Sequence, residues 1–198
     1  MSLQQPDLFS TVPRLPDGFR YEPDLIDQAE ERDLVASLQS LPFREFEFHG
    51  FLGKRRVVSF GWRYDFNEGG LKRADPMPDV LLPLRRKAAG FARREDAVFE
   101  QAIVTEYTPG AAIGWHRDRS VFSEVIGVSF MARCTFRFRR KNETTWERAS
   151  LIAEPRSVYL LSGSSRHDWE HSIPAVSELR YSVTFRSLRR ATVSIPAP

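Results

Sequence analysis

The segment that decides the fold is Leu179-Arg180-Tyr181-Ser182-Val183-Thr184-Phe185-Arg186. Successive side chains of a β-strand point to opposite faces of the sheet, so this segment has an apolar face and a polar face. The apolar face consists of Tyr181, Val183 and Phe185, and the polar face of Arg180, Ser182, Thr184 and Arg186. The alternation predicts a strand with one face in the core and two guanidinium groups on the other.

The two arginines of this strand have two interpretations. A solvent-exposed face would need no partner for either guanidinium group. In an interior, two unpaired guanidinium groups would cost several kcal/mol each. A dicarboxylate would satisfy both, because arginine binds a carboxylate through two parallel hydrogen bonds. The strand by itself leaves both interpretations open.

The segments around this strand predict an α+β fold. Apolar residues recur at helical spacing over 25–41, where Asp27 and Glu30 form a capping box, and a second helical stripe covers 80–91. Short aromatic and β-branched segments then follow one another, as expected for an antiparallel sandwich or barrel. These predicted strands are 98–107, 113–118, 126–130, 135–140, 157–161 and 179–187.

The chain is expected to form one domain over 21–190, preceded by an extended arm over 1–20 and followed by a tail over 191–198. Its 198 residues carry a net charge of +3, which admits a polyanionic partner. A single cysteine, Cys134, excludes an internal disulfide and a thiolate zinc cluster. No apolar run is long enough to span a bilayer, and we expect a cytoplasmic monomer.

Three histidines and one carboxylate are candidate metal ligands. His116 and Asp118 stand two apart in a predicted strand, so both side chains can reach one ion, although a surface pair has the same spacing. His167 and His171 both precede the last strand, and either could supply the third ligand. Two His and one carboxylate leave coordination positions open, as in non-haem Fe(II) oxygenases.

The ordered set of these motifs resembles the AlkB family of 2-oxoglutarate-dependent dioxygenases. It consists of Tyr107-Thr108-Pro109-Gly110, His116-Arg117-Asp118, His171-Ser172-Ile173-Pro174 and the arginine-rich last strand. The resemblance implies a double-stranded β-helix, or jelly-roll, core over about 97–188 with the N-terminal helices packed on it. It also implies Fe(II), 2-oxoglutarate and O2 as cofactors.

The resemblance assigns roles to individual residues. His116, Asp118 and His171 match the iron ligands and the catalytic centre, with His171 preferred to His167 because Ser-Ile-Pro follows it. Cosubstrate positions are matched by Tyr107, Thr105, Arg180, Ser182 and Arg186. Thr105 stands where DNA-repair members of the family commonly carry Asn, and Ser120 stands where some carry an acidic residue that contacts the base.

The family places a substrate lid at about 43–66, which here predicts a hairpin rich in aromatic and basic residues. The residues expected to contact substrate are Trp62, Tyr64, Arg55, Arg56 and Ser120. Interleaved charges and rings suit phosphate contacts and base stacking, although Trp62 and Tyr64 could equally pack on the core. His49 is expected in this hairpin.

The leading functional hypothesis is oxidative demethylation of alkylated nucleic acid bases, DNA or RNA, in repair. The same iron chemistry acting on a protein, lipid or small molecule is the alternative. A non-catalytic jelly-roll binding module is the third hypothesis, and the complete set of metal ligands argues against it.

Overall fold

The computed structural model of the chain describes residues 14–48, 51–65 and 68–189. His49, residues 1–13 of the predicted arm and the predicted tail lie outside the described residues. The end of the predicted arm differs from expectation, because Phe19 starts a strand that pairs with Val158–Leu161 through four residue pairs.

The described residues form three α-helices, thirteen strands and two short 3-10 helices at Asp79–Leu81 and Asp96–Val98. The α-helices are α1 (Gln28–Gln39), α2 (Leu82–Ala92) and α3 (Gly163–His167). The first strands are β1 (Phe19–Glu22), β2 (Arg44–Phe48), β3 (Phe51–Phe60), β4 (Trp62–Tyr64), β5 (Leu71–Arg73), β6 (Gln101–Tyr107) and β7 (Ile113–His116). The others are β8 (Phe122–Phe130), β9 (Cys134–Asn142), β10 (Thr145–Ala153), β11 (Val158–Leu161), β12 (Glu170–Ile173) and β13 (Arg180–Leu188).

Two antiparallel sheets face each other, as the strand pattern predicts. The larger has the order β1-β11-β8-β13-β6-β3-β2, and the smaller has the order β10-β9-β12-β7. A core between them contains Phe136 and Phe138 from β9 and Leu161 from β11. A third, two-stranded sheet joins β4 to β5.

The helices cover the other face of the large sheet. Leu38 of α1 and Leu84 of α2 pack in a second core with Val183 and Phe185 of β13. The capping box predicted at the start of α1 is present: the Asp27 carboxylate accepts hydrogen bonds from the backbone N–H groups of Ala29 and Glu30. Pro83 lies in the first turn of α2, where its missing N–H costs no helical hydrogen bond.

The periodicity of the sequence predicted fewer strands than the structure has. β10 and β12 were not predicted as strands: β10 has four charged or polar residues among its first six, and β12 is four residues long. β10 is exposed along most of its length and is held through nine residue pairs with β9. The hairpin expected over 43–66 corresponds to β2 and β3, with β4 following.

Candidate active site

His116 and His171 lie opposite each other on adjacent strands of the small sheet. The antiparallel register of β7 and β12 pairs these two residues directly, and their ring centroids are 4.3 Å apart. The Nδ1 atom of His116 lies 2.9 Å from the carbonyl oxygen of Gly114, which leaves Nε2 as its outward nitrogen. Strand pairing therefore brings together two imidazoles that are 55 positions apart in the chain.

Asp118 follows β7 and joins the same group. Its Oδ2 lies 3.6 Å from Nε2 of His171, and only 6% of its side chain is exposed. Nε and Nη2 of Arg186 lie 2.9 and 2.8 Å from Oδ1. Oδ2 is buried without a hydrogen-bond partner among the described residues. Among the described residues, no three His, Cys, Asp or Glu side chains lie close enough together to hold a metal ion as they stand.

The charge states of this group suit metal ligation. Burial and the neighbouring His116 lower the pKa of His171 to about 3, so its imidazole is neutral at pH 7 and keeps a lone pair. Burial by itself would raise the pKa of Asp118, but the positive charge of Arg186 beside it holds that pKa well below its ordinary value. Metal ligands of these types must be deprotonated, and both are.

The polar face of β13 is buried. Arg180 is 1% exposed, donates from Nη2 to Ser129 Oγ at 2.8 Å, and lies with its guanidinium carbon 4.7 Å from the ring centroid of Tyr107. Within the described ranges, its Nε and Nη1 have no hydrogen-bond partner, nor has Nη1 of Arg186. Buried N–H groups without acceptors are costly, so these atoms mark where a carboxylate ligand would be stabilised. The solvent-exposed interpretation of this face is thereby wrong.

A cavity of about 790 Å³ connects these residues. Its walls come from both sheets and include most of the predicted metal and cosubstrate residues: Thr105, Tyr107, His116, Asp118, His171 and Arg186. Arg180 and Ser182 do not line the cavity, but the Arg180 guanidinium lies against the ring of Tyr107, which does.

Tyr159 is a cavity residue that sequence reasoning missed. It lies on β11, it is 8% exposed, and burial, with a smaller contribution from Tyr107, raises the pKa of its phenol above the ordinary value of 10.0. Its ring packs directly against Gly127 on β8. A Cβ atom at that position would lie 2.2 Å from the ring, so a larger residue would clash with it. A glycine opposite a tyrosine on the neighbouring strand, Gly127↔Tyr159, is the one signal that could have found it.

The rival histidine lies elsewhere. His167 is exposed at the end of α3, and its carbonyl oxygen accepts a hydrogen bond of 3.4 Å from Arg117. Of these two histidines, His171 faces His116 across the sheet, and it is 8% exposed.

The five predicted substrate residues are divided between the cavity and the surface. Arg55 and Tyr64 line the cavity. The Arg55 guanidinium lies 3.8 Å from the ring centroid of Phe46, and that of Arg119 lies 4.9 Å from the ring centroid of Tyr64. Rings and basic groups therefore alternate along this part of the cavity wall, where Arg119 is exposed. We call this part the cavity mouth.

Trp62, Arg56 and Ser120 do not line the cavity. Arg56 forms a two-pronged ion pair with Glu106, at 2.7 and 2.8 Å, on the opposite face of the large sheet. Trp62 stacks under Arg73 at 3.9 Å, and Ser120 is exposed in the turn before β8.

A family model described as the 2OG-Fe(II) oxygenase superfamily matches residues 18–186. The chain belongs to this superfamily. It is therefore a 2-oxoglutarate-dependent dioxygenase that uses Fe(II), 2-oxoglutarate and O2, as the motifs predicted.

Individual relatives of this dioxygenase confirm the AlkB-like resemblance. The "Alkylated DNA repair protein ALKBH8 homolog" of Arabidopsis thaliana is 28% identical over 199 aligned residues, which cover 87% of this chain and 56% of the relative. The "tRNA (carboxymethyluridine(34)-5-O)-methyltransferase alkbh8" of Xenopus tropicalis is 25% identical over 169 residues, 81% of this chain and 26% of the relative. The dioxygenase thus spans about half and about a quarter of these two proteins.

The solved structure of OsALKBH1 superposes with a TM-score of 0.69 and 15% identity, over 88% of this chain and 98% of that structure. The predicted double-stranded β-helix core is thereby confirmed. No helix among the described residues of the dioxygenase is long and apolar enough to cross a membrane.

Proposed function

We propose that this dioxygenase oxidises alkyl groups on nucleic acid bases, with RNA as the preferred substrate. The observation that supports the proposal best is a single cavity that joins two histidines, a buried carboxylate and the guanidinium group of Arg186 to a basic, aromatic mouth.

The iron ligands in this proposal are His116, Asp118 and His171. The donor types fit Fe(II) with positions left open for cosubstrate and oxygen, and the unpaired Oδ2 of Asp118 offers the carboxylate ligand. Arg186 holds Oδ1 and so orients the carboxylate. When bound, the metal and 2-oxoglutarate supply the oxidation: 2-oxoglutarate loses CO2 to give succinate while one oxygen atom enters a substrate C–H bond.

The cosubstrate residues in this proposal belong to the large sheet. Arg180 and Tyr107 hold the distal carboxylate of 2-oxoglutarate, since Arg180 has two buried nitrogen atoms without partners in the described chain beside the Tyr107 ring. Arg186 lies near the carboxylate next to the metal. Thr105 lines the wall between them, and Ser182 is its direct neighbour across the β6–β13 pair.

The cavity mouth supports a nucleic acid base as substrate. Tyr64 and Phe46 offer rings for stacking, and the guanidinium groups of Arg55 and Arg119 lie against those same rings, where a phosphate or a base can approach. An unstacked or flipped base is the form that such a cavity can admit. The Arabidopsis relative's name refers to DNA, whereas the alkbh8 methyltransferases of Xenopus tropicalis, Mus musculus and Macaca fascicularis all carry tRNA in their names, and this supports RNA ahead of DNA.

Succinate release tests the proposal. N-methylated single-stranded RNA should raise succinate formation above the background without substrate and release formaldehyde, because hydroxylation of an N-methyl carbon gives an unstable product. Unmethylated RNA and methylated DNA of the same sequence are the comparison substrates. If no methylated oligonucleotide raises succinate above background, the nucleic acid proposal fails and a protein, lipid or small molecule becomes the substrate.

A further inference from the structure

A partly exposed row of stacked tryptophans and arginines crosses the outer face of the small sheet. On β9 the side chains of Phe136 and Phe138 point into the core between the sheets, so Arg137 and Arg139 point outward. The guanidinium carbon of Arg139 lies 4.6 Å from the ring centroid of Trp115 and 4.5 Å from that of Trp146. Arg137 lies 5.0 Å from the ring centroid of Trp115.

This tryptophan–arginine face has a surplus of positive charge. We define it by the residues Trp115, Arg137, Arg139, Lys141, Trp146 and Arg148. The register pairs Lys141 with Trp146 and Arg139 with Arg148, which places all four on the same side. Glu170 is the one carboxylate that the described strands of this sheet direct outward, and it is bound to Arg139 at 2.6 Å. No described carboxylate forms an ion pair with Lys141 or Arg148.

The exposed apolar groups of the molecule are concentrated here too. Trp146 and Ile152 are 43% and 46% exposed, and Met131 is the one other large hydrophobic side chain among the described residues that is as exposed. Ile152 follows Trp146 and Arg148 at even spacing along β10, so it also points outward. Rings and arginines that are already stacked lose little side-chain entropy when a ligand binds.

The face is continuous with the active site. Trp115 lines the cavity and also contacts both outward arginines of β9. A chain that lies across the face therefore ends at the cavity mouth, where Arg117 and Arg119 continue the positive charge.

We infer that this face binds the single-stranded RNA that flanks the base held in the cavity, an inference that rests on the proposed function. Unpaired bases stack on exposed tryptophan, and arginine and lysine side chains bind the phosphates between them. The partner is identified by this combination of rings and positive charge. An acidic protein would match the positive charge, but a single-stranded nucleic acid alternates phosphates with flat bases that stack on tryptophan.

Fluorescence anisotropy with a short fluorescein-labelled single-stranded RNA tests the inference on the full chain. Trp146→Ala should weaken binding about tenfold, and Trp146→Phe should restore most of the affinity, because stacking on a ring is retained.

The double change Lys141→Gln with Arg148→Gln tests the charge of the face and should weaken binding. The plot of log affinity against log salt concentration should also become less steep, by about 0.7 for each phosphate that the protein no longer neutralises.

Arg148→Gln alone should also weaken binding, and Arg86→Gln is the control that matches it in charge. Arg86 is exposed on α2, which packs on the large sheet, so its change alters the net charge by as much as Arg148→Gln without touching the face. If Trp146→Ala binds as the wild type does, or Arg86→Gln weakens binding as much as Arg148→Gln, the inference is overturned. Tighter binding of single-stranded DNA of the same sequence would overturn the choice of RNA.

Succinate release separates this inference from the proposed function. RNA binding that depends on Trp146 without stimulated succinate release supports the face and contradicts the proposed reaction. Methylated RNA that stimulates succinate release equally in wild type and Trp146→Ala, at concentrations below saturation, supports the reaction and contradicts the face.

Discussion

At the scale of single residues, the site depends on which histidine strand pairing selects. His171 lies directly opposite His116 on the adjacent strand. His167 is exposed at the end of α3. We expect His171→Ala and His116→Ala to abolish the visible absorption band that forms when Fe(II) and 2-oxoglutarate are added without oxygen. His167→Ala should retain the band. Loss of the band in His167→Ala with retention in His171→Ala would reverse the assignment.

Gly127 shows how one missing side chain shapes the cavity. A methyl group at this position would lie 2.2 Å from the ring of Tyr159, and neither backbone can move without disturbing the sheet. Gly127→Ala should therefore lower the free energy of unfolding by about 1–3 kcal/mol, as overpacking does. Chemical denaturation measures the loss, and adding Tyr159→Val should recover part of it. A Gly127→Ala protein as stable as the wild type would contradict this packing.

At the scale of elements, a cross-strand ion pair ties β3 to β6. Arg56 pairs with Glu106, whose side chain is 7% exposed and also accepts a hydrogen bond from the Tyr181 phenol at 2.7 Å. The Arg56 hydrogen bond is the largest influence on Glu106 and lowers its pKa below the ordinary value of 4.5, against the effect of burial.

A lowered pKa in the folded state means that Glu106 stabilises the fold above pH 4.5 and that this contribution is lost as pH falls. Glu106→Gln should therefore melt at a lower temperature than the wild type at pH 7, and the difference should narrow below pH 4.5. Glu22→Gln, on the exposed end of β1, is the control and should leave the melting temperature unchanged. A difference that is constant across this pH range would show that the charge of Glu106 is unimportant.

At the scale of the whole molecule, the site joins the two sheets. The small sheet and its following loop carry His116, Asp118 and His171, and β13 of the large sheet carries Arg180 and Arg186. Asp118 and Arg186 already link them through hydrogen bonds of 2.8 and 2.9 Å. A ligand that engages both sheets should oppose their separation during unfolding.

Binding of Fe(II) and 2-oxoglutarate without oxygen should therefore raise the melting temperature. A ligand at 100 times its dissociation constant stabilises the folded state by about 2.7 kcal/mol. Arg180→Met should abolish the increment due to 2-oxoglutarate while retaining that due to the metal, and Arg86→Met should retain both. Differential scanning calorimetry measures these increments. An unchanged 2-oxoglutarate increment in Arg180→Met would show that the cosubstrate binds elsewhere.

The sequence by itself determined the chemistry and most of the elements. Alternation along β13 identified its two faces, helical spacing identified α1 and α2, and the ordered motifs identified the oxygenase family, because each of these signals lies within a short stretch of chain. The short strand β12 and the polar strand β10 carry too weak a periodicity to be found in this way.

Only the tertiary structure decided which residues meet. His171 rather than His167 lies opposite His116, Arg180 is buried and Arg186 is mostly buried. Arg56 lies on the face of the large sheet away from the cavity, where it pairs with Glu106. The ring of Tyr159 occupies the space beside Gly127. The tertiary structure also stacks Trp115, Arg139 and Trp146, which come from three different strands. Such contacts depend on the register between strands that are distant in sequence, and a one-residue shift in register would reverse every face.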